Sequence, residues 1–161
     1  MTREEMGKYA VDLFDRGFHC SQAIFAAAMK RLGEGDKQDV IASLSPFGGG
    51  IASTGNTCGT ILGALAVIGY LEGKREPEKR DGRPMWKMSY KLFKGFEEIT
   101  KEYGGTRCLD IARVDWKDIK AVKAFRKDPQ SRRQECFKVI EKTAHLLYDI
   151  LDQLREQQKG V

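Results

Sequence analysis

The sequence predicts an all-α fold: a single compact bundle of about six or seven helices around a central apolar helix at about 57–72. Three observations lead there. Apolar residues recur at steps of three and four, with no convincing strand alternation. The segment from Cys58 to about Leu71 is apolar nearly all round, as a helix buried on every side must be. The chain has 161 residues, 41% of them hydrophobic and 32% charged, enough for one helical domain over 1–161 with a real core.

Taken in order, Thr2 and Glu5 form a capping box, and Met6, Tyr9, Leu13 and Phe14 give the first helix its apolar face before Gly17 ends it. A second helix opens near His19, buries Cys20, Ile24 and Ala27 or Ala28, and stops at Gly33–Asp36. Asp36 is placed to cap a short third helix that Pro46 terminates. After the glycine-rich loop, Thr57 is placed to cap the fourth helix. Gly55, Gly59 and Gly63 fall four apart there, so a neighbouring helix can come close. The stretch from Lys74 to Pro84 holds eight charged residues and two prolines and reads as a solvated loop. A fifth helix carries Met85, Met88, Leu92, Phe96, Ile99 and Tyr103 and stops at Gly104 and Gly105. Thr106 is the expected cap of the next turn, which opens with Cys108. A short amphipathic helix follows, with Lys117, Lys120 and Lys123 outward. Ser131 is the expected cap of a long last helix to about Gln157, whose stripe is Cys136, Ile140, Thr143, Leu147, Ile150 and Leu154. Trp86 and Trp116 read as packing residues.

Cys20, Cys58, Cys108 and Cys136 are the chain's four cysteines, separated by 38, 50 and 28 positions. None belongs to a CxxC pair, so there is neither a zinc-ribbon signature nor a c-type haem attachment site. Four core thiols would be the plain reading. Their placement argues for more, because each falls in or just after the first turn of an expected helix. Amide dipoles there stabilise a thiolate, and several such thiols facing one core can form a redox pair or ligate a metal or iron–sulfur cluster. Cys58 has the strongest case for a lowered pKa, with Thr57 beside it as a donor.

The segments "HCSQAI", "SPFGGGIASTGNTCGTILGAL", "YGGTRCLDI" and "QECFKV" resemble, in order, the C_GCAxxG_C_C family of redox-active proteins. The resemblance extends from Cys20 to Cys136. Its most specific part is Phe47-Gly48-Gly49-Gly50, then Thr57-Cys58-Gly59, then Gly63. Thr60 departs from it, where the family motif has alanine. The resemblance implies that Cys20, Cys58, Cys108 and Cys136 are the site residues. Their chemistry is then either ligation of a metal or iron–sulfur cluster for electron transfer, or cycling between thiol and disulfide with a redox partner.

The loop from Gly48 lacks the Gly-Lys-Ser/Thr of a phosphate-binding loop. Its expected role is to let Gly48, Gly49 and Gly50 fold over the thiols, with Thr57 and Gly59 beside them and its amides turned toward sulfur. His19 is a candidate base or fifth ligand, although a surface role is commoner at that position; His145 has no assigned role. The alternative function is a basic helical binding module, with the cysteines as core packing. Eight bases fall between Arg113 and Arg133, but Asp115, Asp118 and Asp128 dilute them and no interleaved aromatics suggest base stacking, so nucleic acid is a poor partner. A homo-oligomer is compatible with the sequence. No stretch approaches the ~20 apolar residues of a spanning helix, and the charged start "MTREEMGKY" points to the cytoplasm.

Overall fold

The computed structural model describes residues 1–160. Among the described residues there are eight α-helices and two 3₁₀ turns, with no strand beyond one isolated bridge. The helices are α1 (Arg3–Asp15), α2 (Cys20–Leu32), α3 (Gln38–Ser43), α4 (Gly59–Glu72), α5 (Met85–Thr100), α6 (Cys108–Ala112), α7 (Ile119–Lys127) and α8 (Arg133–Lys159).

The helix starts show where local signals decide and where they do not. Thr2 and Glu5 cap α1 reciprocally, as their spacing predicts. Asp118 caps α7 through the N–H groups of Lys120 and Ala121. Asp36 does not cap α3: the helix starts one residue later, Lys37 is the N-cap, and the Asp36 carboxylate accepts from the Gln38 side chain instead. Pro46 lies in a 3₁₀ turn, Ser45–Phe47, after α3 has already ended. Thr57 does not cap α4. It is held in a bridge to Arg107, so the helix begins after Cys58, which takes the N-cap position. Thr106 is likewise displaced as a cap by Arg107, whose N–H is taken by the Asp110 carboxylate. Ser131 sits one residue before the N-cap of α8, Arg132. Its hydroxyl donates to the Phe125 carbonyl and accepts from the Arg133 N–H.

Two apolar clusters organise the chain. The larger is built on Phe25, Ile61, Phe96, Ile140 and Leu147, all buried. Here α4 packs against α2, α5 and α8, while α8 also packs against α1, α2, α5 and α6. The apolar fourth helix therefore shares the centre with the long last one. The smaller cluster joins Cys108, Ala112, Val114 and Phe125, with Trp116 stacked edge-on to Phe125 at 5.3 Å. Trp86 is not a packing residue: it is 72% exposed, tied only by its indole N–H to Asp81. Lys117, Lys120 and Lys123 are exposed. Among the described residues no helix is long and apolar enough to cross a membrane.

Candidate functional site

A cavity of about 680 Å³ opens where the two clusters meet, and Cys20, Cys58, Cys108 and Cys136 all line it. Each arrives on a different helix. Cys20 is the first residue of α2, Cys58 the N-cap of α4, Cys108 the first residue of α6, and Cys136 lies at the end of the first turn of α8. Cys58 and Cys108 are buried, and Cys20 and Cys136 are half-buried.

The backbone that brings them together is a compact loop. Residues Gly49 to Ser53 are all left-handed, with φ of 65, 70, 67, 52 and 60°. Three of those five are not glycine, and each such residue costs roughly 1–2 kcal/mol in that region. The turn is held by hydrogen bonds from Ala52 N–H to the Pro46 carbonyl, from Gly55 N–H to that of Gly49 and from Asn56 N–H to that of Gly50. Beyond it, the Asn56 and Gly55 carbonyls accept from the N–H groups of Cys108 and Leu109, and Cys58 N–H donates to the Thr106 carbonyl. The loop thus clamps the start of α6 to the start of α4, which sets Cys108 beside Cys58. These loop groups fasten one helix start to another, and of the three glycine amides expected to turn toward sulfur, that of Gly48 donates to the Ser45 carbonyl.

The glycines act differently from one another. Gly48 has φ −63°, so it needs no special conformation. A side chain there would collide with the His19 ring, 2.7 Å from its nearest atom. Gly50 combines a positive φ with backbone and Cys108 Cβ atoms in the space a Cβ would fill. At Gly59 a Cβ would lie 2.7 Å from Cys20 Sγ and 2.7 Å from the Phe47 carbonyl oxygen. Gly48 and Gly49 line the cavity; Gly50, Thr57 and Gly59 do not, although Gly50 packs against Cys108 and Gly59 against Cys20. His19 is exposed, forms the N-cap of α2 and lines the cavity. His145 lies elsewhere, against Gly7.

Cys20 Sγ packs against Gly59, the residue after Cys58, and the nearness of the two thiols couples their titration. The Cys20 thiol, the hydroxyl and N–H of Thr60 and the N–H of Ile61 all face the Cys58 sulfur. None of these amides makes a capping bond of ordinary length to the neutral thiol. Their partial charges still favour the thiolate. Together they outweigh burial and bring Cys58 down from 9.0 to about 7. Cys20 moves up, first because its proton is held against Cys58 and then because it is buried. Burial pushes Cys108 up to about 11, relieved in part by the Trp116 indole N–H, and pushes Cys136 up as well.

Sequence reasoning assigned the Cys58 donor to Thr57; it is Thr60. Because α4 starts after Cys58, Thr60 takes the second helical position, whose N–H faces an N-cap side chain. Trp116, read from the sequence as a packing residue, lines the cavity, and so do Phe125, Arg126 and Arg133, for which sequence reasoning gave no site role. The signal for Trp116 and Phe125 is weak: they lie between the Cys108 and Cys136 motifs but belong to neither, and the folding of α6 and α7 sets them at the cavity. Among the described residues no three His, Cys, Asp or Glu side chains are gathered closely enough to hold a metal ion. Cys20, Cys58, Cys108 and Cys136 therefore do not close round a single ion in this arrangement.

The model of the family described as "Putative redox-active protein (C_GCAxxG_C_C)" matches residues 18–150. No curated protein and no solved structure matches the chain.

Proposed function

The chain belongs to the C_GCAxxG_C_C family of redox-active proteins, and from that premise we propose that it is a thiol–disulfide oxidoreductase working through Cys58 and Cys20. The observation that carries this reading is the placement of Cys20 Sγ against Gly59, beside Cys58, with both thiols lining one cavity; the same nearness lowers the Cys58 pKa to about 7 and raises that of Cys20. A nucleophilic thiol with a pKa near ambient pH is the efficient attacker of a disulfide.

With a small disulfide as oxidant, Cys58 thiolate attacks one sulfur. A Cys58–S bond forms, the substrate S–S bond breaks, and the first thiolate leaves. Cys20 then gives up its proton and attacks Cys58 Sγ, forming the Cys20–Cys58 disulfide and releasing the second thiolate. The protein loses two electrons and the substrate gains them. A reducing partner reverses the exchange. The cytoplasm, where glutathione and thioredoxin keep thiols reduced, suits a protein with four free cysteines.

A second reading is favoured by one observation, that all four thiols face one cavity: an iron–sulfur cluster or other thiolate-bound metal for electron transfer. Against it, no three such ligands gather among the described residues. The experiment that separates the readings treats anaerobically purified, reduced protein with a chromogenic disulfide. Wild type should release two leaving-group thiols from the Cys58–Cys20 pair, whereas Cys20→Ser should stop at one and retain a mixed disulfide on Cys58. Elemental analysis and an ultraviolet–visible spectrum of the same preparation complete the test. Stoichiometric iron and sulfide, with thiols that do not exchange, would overturn the exchange reading in favour of the cluster.

A further inference from the structure

The cavity carries more than its thiols, and the rest of its lining says what enters. Phe14, Phe18, Trp116 and Phe125 give it flat apolar walls. Three charged side chains line it: Asp15, Arg126 and Arg133. Asp15 and Arg133 neutralise each other at 2.8 Å, and Arg133 is further fixed over the rings of Phe14 and Phe137, 5.0 Å from each. Arg126 is different. It is exposed, lines the cavity and, among the described residues, forms no ion pair and finds no protein acceptor, so its guanidinium stands free to water. A second donor is also unmatched: the Trp116 indole nitrogen is buried without an oxygen or nitrogen acceptor, facing only the weakly accepting Cys108 sulfur.

A cavity of several hundred Å³ with apolar walls and a few unmatched donors is the form small-molecule sites take. Unmatched donors of this kind select a ligand that brings acceptors. A guanidinium in particular favours a carboxylate or similar anion, which it can hold through two parallel N–H bonds. A large neutral or cationic ligand would leave the buried Trp116 indole N–H as bare as before and would cover the exposed Arg126 without pairing it, and covering a charged donor unmatched carries a penalty.

From these two donors and the aromatic walls we infer that the substrate is a small organic disulfide with an aromatic or otherwise flat apolar body and an anionic group, the anion held by Arg126 at the cavity. The inference rests on the proposed exchange at Cys58 and adds the substrate class to it.

The test measures Cys58 reaction rates in stopped flow with the full reduced chain. The probes are 5,5′-dithiobis(2-nitrobenzoate), which is aromatic and anionic, 4,4′-dithiodipyridine, which is aromatic and neutral, and cystamine, which is aliphatic and cationic. The readout is the ratio of anionic to neutral rates, which cancels any general effect on the Cys58 thiolate. Arg126→Gln should lower that ratio roughly tenfold and flatten its dependence on salt. Lys120→Gln, on the same helix but exposed away from the cavity, should leave the ratio within twofold. The inference is overturned if Arg126→Gln leaves the ratio unchanged, or if cystamine reacts with wild type as fast as the anionic probe. Failure of the exchange reading looks different: Cys58→Ser would then keep the fast phase with all three probes.

Discussion

At Cys58 several donors and one penalty act on a single sulfur, and their balance determines what the site can do. Cys20 contributes most to lowering its pKa, then Thr60 through both hydroxyl and amide, then Ile61; burial opposes them. The rate of Cys58 alkylation should therefore rise with pH about a midpoint near 7, since only the thiolate reacts. Thr60→Ala, which restores the residue of the family motif, should move that midpoint upward, and Cys20→Ala should move it further toward 9.0. An unmoved midpoint in both variants would show that the dipole of α4 acts alone. The same pair links stability to pH. Folding favours one thiolate and one thiol. The pair's contribution thus grows as pH rises through about 7 toward 9.0, where the unfolded chain still keeps both protons. Above 9.0 it declines, because the unfolded chain loses both protons while the folded one retains that of Cys20. The cysteines and their helix-start positions were legible in the sequence. The choice between Thr57 and Thr60 was not, because it depends on the bridge from Thr57 to Arg107, fifty positions away.

On the scale of elements, the crossing of α2 over α4 fixes the distance between the paired thiols. Gly63 lets α4 lie against the Ser21 carbonyl and Ile24, and Gly59 does the same beside Cys20 and Phe47. The four-residue glycine spacing announced that close approach, but it did not say which helix would come. Gly59→Ala should force either Cys20 Sγ or the Phe47 backbone to shift, because neither gap accepts a methyl group. Overpacking of this kind costs about 1–3 kcal/mol. Denaturant unfolding should show that loss, and the alkylation midpoint of Cys58 should rise as Cys20 is displaced. Retention of wild-type stability and midpoint would reduce the glycine spacing to ordinary helix packing. Other element boundaries slipped by one residue for a common reason. Asp36, Thr106 and Ser131 are all good cap residues, yet at each start tertiary contacts or a neighbouring residue fix the first turn one position later.

Over the whole molecule, the site lies at a seam. Cys20 and Cys58 pack with the main core, Cys108 with the smaller cluster of α6 and α7, and Cys136 touches both. Helical periodicity made the fold class readable and marked α4 as buried. It could not reveal the seam, since nothing local in α7 says that Phe125 and Arg126 face the cysteines of α2 and α4. The central claim, that the seam works through one thiol pair, is tested most directly by peptide mapping. Reduced protein is oxidised anaerobically with one equivalent of a small disulfide, quenched in acid, digested and examined by mass spectrometry. The account predicts loss of two thiols and a single cross-link joining the peptides of Cys20 and Cys58, with Cys108 and Cys136 still reduced. Oxidised protein in which Cys20 and Cys58 remain free thiols would contradict it.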